Sequence, residues 1–346
     1  MLLPFLIPFQ ACSKKEFSAA TQQPVTDSLL FSFVTVGCNR VDKKDVSVSN
    51  PSTANVIQLK RTFSDILELK PLPKFLFFMG DMVLGYTGND TAALRNELTA
   101  WAHLYEESGL KQEGVVLIPM PGNHESLLAK KSSASIAAEA VWVSVMKPYI
   151  QNNNGPVPGG ADNVQTDQSR LTYSFNYTNT HFVVINTDAV GKESQIPYRW
   201  IYNDIAFARS SGYTHIFSFG HKPAIAFPGE DGISSGYPAG LDSFWAAHED
   251  NHAEAYFSAH NHVYYRTRPT NGKTWQIISG NGGSPLSNYI NSSSQRNFGF
   301  VLVSVYKSGK VISEAYGRDV PVAGYLADPS SYLTTVRDSV EITWGK

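Results

Sequence analysis

Four apolar, strand-like segments of this chain each run into a short polar cluster that contains Gly together with Asp, Asn or His. In chain order the junctions are Phe75–Met79 before Gly80-Asp81, Val115–Pro119 before Pro121-Gly122-Asn123-His124-Glu125, His215–Phe219 before Gly220-His221, and Ala255–Ser258 before Ala259-His260-Asn261-His262. The carboxyl ends of strands in an open α/β sheet gather on one side, where ligands bind. The pattern therefore predicts that these polar side chains converge in space, although the sequence separates them widely.

Helix-like segments lie between the strands. They are roughly Ala54–Leu69, Thr91–Glu107, Ser133–Met146, Ile196–Ser210 and Leu241–His248. Strands that alternate with helices indicate an α/β layered fold, which the strand Phe31–Gly37 opens. Antiparallel pairing is indicated in four further segments, namely Leu171–Tyr177, Thr180–Asn186, Gln276–Ser279 and Phe298–Val305. We therefore predict a mixed sheet rather than an all-parallel one.

The polar clusters supply nitrogen and oxygen donors of the kind that borderline divalent metals prefer, which predicts a site for Zn, Mn, Fe or Ni. The candidate ligands are Asp81, Asn123, His221, His260 and His262. Taken singly, a Gly-Asp pair usually marks a turn, Asn-His often caps a helix, and a lone His often lies in a core. Their conjunction after four apolar strands favours the metal site.

The composition limits the classes of partner and of site. The chain has 346 residues and a formal net charge of -2, from 28 basic and 30 acidic residues, so no basic excess indicates a nucleic-acid-binding surface. Its only two cysteines, Cys12 and Cys38, cannot build a disulfide framework or a thiol-rich zinc site.

Residues 1–30 are predicted to be a lipoprotein-type signal followed by a flexible tether. Cys12 follows the apolar run Leu2–Phe9 and resembles the lipidated Cys of bacterial lipoproteins, although the run is short and no Lys or Arg precedes it. A buried N-terminal strand is the alternative. Residues 13–29 are polar, as is typical of a tether. A lipidated Cys12 would place the protein in the bacterial cell envelope, lipid-anchored or periplasmic, with the anchor as its only membrane contact.

The remaining chain is predicted to form one domain over residues 31–318. Residues 319–346 are predicted to pack on that domain, either as an edge strand or as a wrapping arm. Two Gly/Pro-rich loops, Asn152–Asn163 and Phe227–Gly240, are long enough to form functional rims.

The ordered motifs Gly-Asp, Gly-Asn-His-Glu, Gly-His and His-x-His resemble those of the calcineurin-like metallophosphoesterase family. Three further segments resemble its purple-acid-phosphatase-like branch: the hairpin Tyr173–Asp188, the histidine motif His260–Thr267 and the glycine turn Ile278–Gly283. The resemblance covers about residues 31–317.

This resemblance implies a fold and a set of site roles. The fold is two mixed β-sheets packed as a sandwich and flanked by helices, around a two-metal centre. The implied ligands of one metal are Asp81, Asn123, His221 and His260. The other metal would share Asp81 and bind His262 together with groups from the first strand. His124 corresponds to the family's acid that protonates the leaving group.

The chain departs from the family pattern at the first strand. Relatives carry Asp-x-His there, or in the purple-acid-phosphatase branch an Asp followed later by a metal-bound Tyr. Here Cys38 stands at the Asp position, Arg40 at the His position and Leu84 at the Tyr position. Arg donates no lone pair to a metal, but its guanidinium binds phosphate oxygens. A Cys38 thiolate would favour a softer ion such as zinc.

We therefore expect one tightly bound ion at the Asn123 site, with two possible, and Arg40 occupying or facing the other position. An alternative is that Asp42, or a shifted register, restores the missing carboxylate.

The expected function is hydrolysis of a small-molecule phosphate mono- or diester by metal-activated water. A non-catalytic surface lipoprotein that binds a phosphorylated or sugar ligand on the same scaffold is the main alternative, and a structural or adhesive lipoprotein is a third. The sequence leaves the substrate, the metal and the oligomeric state open.

Overall fold

The structure is a computed structural model that describes residues 27–42, 52–233 and 238–346, without the side chains of residues 238–242 and 294. Cys12 and most of the predicted tether lie outside the described residues. The end of that tether is folded, because the first strand begins at Leu29, which pairs with Tyr306. The first strand therefore starts two residues before the predicted strand Phe31–Gly37.

The described chain alternates strands and helices. The strands are β1 (Leu29–Val36), β2 (Phe75–Met79), β3 (Val116–Met120), β4 (Tyr173–Tyr177), β5 (Thr180–Ile185), β6 (Asp188–Ala189), β7 (Lys192–Glu193), β8 (His215–Gly220), β9 (Ala255–Ser258), β10 (Tyr264–Thr267), β11 (Trp275–Ser279), β12 (Asn297–Tyr306), β13 (Val311–Asp319) and β14 (Thr335–Glu341). The helices are α1 (Val56–Glu68), α2 (Thr91–Glu107), α3 (Asn123–Ser126), α4 (Ile136–Met146), α5 (Tyr198–Ser210) and α6 (Pro238–Asp250).

Two six-stranded sheets form the centre of the fold. The first has the order β14-β13-β12-β1-β2-β3, and the second has the order β10-β11-β9-β8-β5-β4. In the first sheet β1, β2 and β3 run parallel, β12 pairs antiparallel with β1, and β13 in turn pairs antiparallel with β12. In the second sheet β5, β8, β9 and β11 run parallel, and β4 and β10 are antiparallel edges. Both sheets are therefore mixed, as the sequence predicted.

The inner faces of the two sheets meet in a core of aromatic rings. Phe33 lies at its centre, fully buried, with its ring centroid 5.1 Å from that of Phe217 and 5.5 Å from that of Phe77. Edge-to-face pairs at this spacing add stability beyond the area they bury. Alternate side chains of β1, β2 and β8 point inward, so the aromatic spacing of the sequence fixes which face becomes the core.

Helices cover both outer faces and complete four layers. Trp101 of α2 and Trp142 of α4 pack with Phe63 of α1 against the first sheet. Ile201 of α5 and Phe244 of α6 pack against the second. The predicted fold class, an α/β sandwich of two mixed sheets flanked by helices, is confirmed. None of the helices in the described part of the chain is long and apolar enough to cross a bilayer.

The C-terminal residues form both an edge strand and an arm that packs along the domain, the two alternatives that the sequence left open. Before β14 joins the edge of the first sheet, the chain runs along α1. There the amide of Asn55 donates to the Tyr325 carbonyl (2.8 Å) and the Arg61 guanidinium donates to that of Pro329 (3.1 Å).

The other predicted helices and strands are present within three residues of their predicted bounds. The strands β6, β7, β10 and β13 were not predicted.

Candidate metal centre

The four polar clusters come together at the carboxyl ends of β2 and β3 in the first sheet and of β8 and β9 in the second. Asp81 follows β2, Asn123 opens α3 after β3, His221 follows β8, and His260 lies in the turn after β9. Each residue leaves its strand at the point where regular backbone pairing ends, so its side chain is free to turn toward the others.

Two glycines make this close approach possible. Gly80 has φ +77°, and a Cβ there would lie 2.6 Å from the backbone N of Gly122 and from Nδ1 of His221. A Cβ on Gly122 would lie 2.4 Å from Oδ1 of Asp81. Any larger residue at these two positions would push the motifs apart, which explains why Gly precedes Asp81 and Asn123 in the sequence.

The donor atoms surround one nitrogen. Nε2 of His221 lies 3.1 Å from Oδ1 of Asp81, 3.0 Å from Oδ1 of Asn123 and 3.2 Å from Nδ1 of His260. We call these four residues the Asn123 half of the site. Asp81 and His221 are almost completely buried.

The outer nitrogens of both imidazoles are occupied by other acceptors. Nδ1 of His221 donates to the carbonyl of Met79 (2.8 Å), and Nε2 of His260 donates to Oδ1 of Asp231 (2.7 Å). These bonds fix the tautomers so that the inner nitrogen of each neutral ring presents a lone pair.

The amide of Asn123 is oriented in the same way. Its Nδ2 donates to the hydroxyl of Tyr86, which turns Oδ1 inward. With both rings neutral the centre faces four lone pairs, and a proton added at His221 Nε2 would bond well to only some of the other three acceptors. A divalent cation satisfies all four at once, so the residues of the Asn123 half fit the metal that the donor set implies.

The charges in this centre are strongly coupled. Burial alone would raise the pKa of Asp81, but the neighbouring His221 and His124 and the Arg40 charge hold it well below its usual value. Burial alone would lower the pKa of His221, yet the charge and hydrogen bond of Asp81 raise it instead. The site thus favours a negative carboxylate that faces a cation.

Glu125 clamps the Asp81 and Asn123 motifs together. Its Oε2 accepts from the backbone N–H of Asp81 (3.0 Å) and of Gly122 (2.7 Å), and its Oε1 accepts from that of Val83 (3.1 Å). Burial, with the nearby Asp81 charge, raises the pKa of Glu125 to about 7. Glu125 was not predicted to have a role, although its place at the end of Gly-Asn-His-Glu was the available signal.

The remaining predicted site residues form what we call the first-strand half of the site, namely the predicted ligands Cys38 and His262 and the predicted phosphate-binding residue Arg40. Cys38 is fully buried, and its Sγ accepts from the backbone N–H of His260 (3.1 Å). One ligand-type atom from each of Cys38, Asp81 and His221 lies within 4.8 Å of the others. Burial, with the Asp81 charge, raises the pKa of Cys38 well above its usual value, so the thiol keeps its proton.

Arg40 extends its side chain toward the carboxylate of Asp81. Its Nε lies 3.8 Å from Oδ2 of Asp81, and its Nη1 lies 3.5 Å from Oδ1 of Asp42. Nε is buried without a hydrogen-bond partner in the described chain. The carboxylate of Asp42 therefore pairs with Arg40.

His262 and Leu84 complete this half. Nδ1 of His262 bonds to the carbonyl of Pro285 (2.6 Å), which leaves Nε2 as the nitrogen available to a ligand within the described part of the chain. Burial, and then the Arg40 charge, lowers the pKa of His262 to about 4. Leu84 offers only its carbonyl, which bonds to Nδ1 of His124 at 2.5 Å.

His124 lies beside the centre, outside the ring of four donors. Its Nε2 is 3.9 Å from Oδ2 of Asp81, and its backbone N–H donates to Oδ1 of the same carboxylate (3.3 Å). Burial lowers the pKa of His124 to about 3, against the opposing effect of the Asp81 charge.

A cavity of about 880 Å³ opens over the site. Of the two predicted rim loops, Phe227–Gly240 contributes residues 229–231 to its lining, while Asn152–Asn163 contributes none. The latter loop instead bonds to β4 and α5, for example through Asn154 and Ser174. The segment Lys130–Ser132 and Tyr289 also line the cavity, and the sequence analysis did not single them out.

Solved structures with a similar fold include two with low sequence identity. A purple acid phosphatase from yellow lupin (Lupinus luteus) seeds superposes with a TM-score of 0.59 at 15% identity, over 92% of this chain and 54% of that protein. GAP50, the anchor in the inner membrane complex of Plasmodium, superposes with a TM-score of 0.53 at 15% identity, over 93% and 90% of the two chains. The chain thus spans about half the length of the lupin enzyme.

The chain matches a family model by sequence, although it matches no individual curated protein. No curated protein matches this chain by sequence. The family model described as calcineurin-like phosphoesterase matches residues 53–264, more than half of the chain and all of the Asn123 half. The chain therefore belongs to the calcineurin-like phosphoesterase family, a family of metal-dependent phosphoesterases.

Proposed function

We propose that this protein hydrolyses a phosphate mono- or diester with water, using one tightly bound divalent ion held by Asp81, Asn123, His221 and His260. The observation that carries this proposal is the ring of lone pairs that point inward around His221 Nε2. The N–H groups of the ligand residues that face away from this centre are donated to other acceptors. Such an ion lowers the pKa of bound water and neutralises charge on the phosphoryl group.

Arg40 supplies the second positive charge in this proposal. Its Nε has no hydrogen-bond partner among the residues that the structure describes, and the side chain lines the cavity beside Asp81. A guanidinium presents a planar fork that binds two phosphate oxygens. Arg40 thus binds and orients the phosphate at the position where relatives hold a second metal.

Arg40 also disfavours a second ion in the first-strand half. Two unit charges about 4 Å apart repel by roughly 4 kcal/mol at an effective dielectric of about 20, and a divalent ion is repelled more strongly. Burial raises the pKa of the Cys38 thiol, so a thiolate that could offset this repulsion is costly to form. We therefore assign one ion to the Asn123 half and none to the first-strand half.

His124 is the proposed proton donor to the leaving group. Its Nδ1 is held by the Leu84 carbonyl, which directs Nε2 toward the cavity. In the free protein His124 is neutral at neutral pH. It must therefore gain a proton as the anionic substrate binds beside it, because a nearby negative charge stabilises the imidazolium.

A non-catalytic role on the same scaffold is the second candidate. The altered residues Cys38 and Arg40 favour it, as does the similarity in fold to GAP50, which is described as an anchor. In that case the centre binds a phosphorylated or sugar ligand without turnover.

Hydrolysis of p-nitrophenyl phosphate and of bis-p-nitrophenyl phosphate by the metal-loaded protein separates the two candidates. Turnover of either ester that disappears in His221→Ala supports the phosphoesterase. His103→Ala is the matched control, because His103 is exposed on α2 and pairs only with Glu107 in the described chain. Metal binding and phosphate binding without turnover of either ester would favour the ligand-binding candidate.

We also propose that Cys12 carries a lipid and holds the protein in the bacterial envelope. The support is its position after the apolar run Leu2–Phe9. In the native host the protein should then fractionate with membranes, and Cys12→Ser should release or misprocess it. An unmodified Met1 on the mature protein would contradict this proposal.

A further inference from the structure

Tyr86 lies in the loop between β2 and α2, yet it contacts the proposed metal ligand Asn123 and the proposed proton donor His124. It follows Asp81 by five positions and lines the cavity. Its hydroxyl bonds to Nδ2 of Asn123, and its ring lies on the imidazole of His124, with 4.0 Å between the centroids and 33° between the planes.

The backbone holds Tyr86 in this place at a conformational cost. Tyr86 has φ +52°, a region that non-glycine residues rarely adopt. Its N–H donates to the carbonyl of His124 (3.0 Å), and the preceding Gly85 donates to Oε2 of Glu97 (3.1 Å). A Cβ on Gly85 would lie 1.8 Å from the His124 carbonyl oxygen, so only Gly permits the approach. Strained residues that are held by several contacts cluster at functional sites.

The hydrogen count at the phenol leaves one proton for a ligand. The amide nitrogen of Asn123 is a donor, so the Tyr86 oxygen accepts in their hydrogen bond. A phenol keeps its own proton at neutral pH, and that proton needs an acceptor of its own. No second partner for the Tyr86 hydroxyl occurs in the described chain, and the side chain is only half-buried at the cavity wall.

We propose that Tyr86 is a further catalytic residue, which rests on the proposed phosphoesterase function. Its oxygen orients Asn123 toward the metal position, and its hydroxyl donates to a phosphoryl oxygen of the bound substrate. The phosphoryl group is thereby bound by Tyr86 on the side of the cavity that carries Asn123 and by Arg40 on the side of the first strand.

Tyr86→Phe tests this assignment, because Phe keeps the ring on His124 and removes only the hydroxyl. Inorganic phosphate is the probe, titrated calorimetrically into metal-loaded wild type and variant. We expect phosphate to bind roughly 10- to 100-fold more weakly to the variant, as for loss of a hydrogen bond to a charged group. We also expect kcat to fall by about 10²-fold, the usual worth of one donor to a reacting oxygen.

Tyr289→Phe is the matched control, since Tyr289 lines the same cavity with its side chain exposed. It should leave phosphate affinity and kcat unchanged. Equal metal content and a thermal midpoint within a few degrees of wild type establish that Tyr86→Phe is folded and loaded.

The outcomes separate this inference from the function on which it rests. Phosphate that binds to Tyr86→Phe as tightly as to wild type would overturn the role of Tyr86 alone. Metal-loaded wild type that binds no phosphate would overturn the proposed function and the role of Tyr86 together. An equal loss of affinity in Tyr289→Phe would show a general effect of the cavity wall and would also overturn the assignment.

Discussion

The two halves of the site differ in how their polar atoms are satisfied. In the Asn123 half, His221 and His260 each donate their outer N–H to a fixed acceptor and direct a lone pair inward. In the first-strand half, burial raises the pKa of the Cys38 thiol, and Arg40 carries a fixed positive charge. In the proposed assignment, the same sandwich therefore builds one metal position in the Asn123 half beside a second position that faces the Arg40 cation.

The comparison shows how a two-metal scaffold can change one half without losing the other. Asp81 belongs to both halves, and its pKa is lowered by His221 and His124 and also by Arg40. A guanidinium that faces this carboxylate preserves the charge balance there. In the proposed assignment, the Asn123 half shares only Asp81 with the second position and holds its ion without Cys38, Arg40 or His262.

The largest effect is expected from removing the central ligand. His221→Ala should weaken binding of the tightly held ion by more than about 100-fold. Loss of a residue that only hydrogen-bonds to a metal ligand already costs up to that amount. The metal-induced rise of the thermal midpoint should disappear with it, because only an ion that binds the folded chain stabilises it. Calorimetric titration and thermal melts measure both effects.

His262→Ala is the matched variant in the other half. It should retain the tightly held ion and its thermal stabilisation. If both variants lose the ion to the same extent, the division of the site into two unlike halves is wrong.

The next effect concerns the proton donor. His124→Ala should reduce kcat by roughly 10²–10⁴-fold, the usual contribution of a general acid. Its metal content should match wild type, because His124 lies outside the four donors. Elemental analysis and steady-state kinetics of one preparation test both parts. Normal turnover, or a variant without metal, would contradict the assigned role.

Arg40 is expected to affect phosphate more than metal. Arg40→Ala should weaken phosphate binding by roughly 10- to 100-fold, because a hydrogen bond to a charged group is lost. Arg40→Lys should restore only part of this affinity, since Lys keeps the charge but lacks the fork. Unchanged phosphate affinity in Arg40→Ala would remove Arg40 from the site.

A smaller effect on metal affinity should follow from weakening a hydrogen bond to one of the metal ligands. Asp231→Asn weakens the hydrogen bond that fixes the His260 tautomer, and it should lower metal affinity by about 10-fold, the low end for such partners. The Asp231 side chain is mostly exposed, which limits the effect. Asp42→Asn is the control, because Asp42 pairs with Arg40 in the other half. A larger loss of metal in Asp42→Asn than in Asp231→Asn would reverse the comparison.

The fold and the Asn123 half were accessible from sequence because their signals are local. Apolar strands that end in Gly-Asp, Gly-Asn-His-Glu, Gly-His and His-x-His predicted both the sheets and the side of the sheets where the polar residues meet. The bounds of β2 and α2 agree with the prediction. The strand β13 was missed although buried and partly exposed residues alternate along it.

Other parts of the site depend on tertiary contacts that no short pattern encodes. Asp231 reaches His260 across 29 residues, and Tyr86 reaches Asn123 across 37. The rim role of Asn152–Asn163 was wrong, because that loop bonds to β4 and α5 and lies away from the cavity lining. Loop length and composition indicate a surface segment, but they do not indicate which surface.

The central claim, one ion in the Asn123 half and a guanidinium in place of the second, is tested most directly by counting metal. Wild-type protein is saturated with Zn²⁺ or Mn²⁺, freed of weakly bound ions by gel filtration, and measured by elemental analysis against protein concentration. The account predicts one equivalent per chain, lost in His221→Ala and retained in His262→Ala. Two tightly bound equivalents per wild-type chain would contradict it.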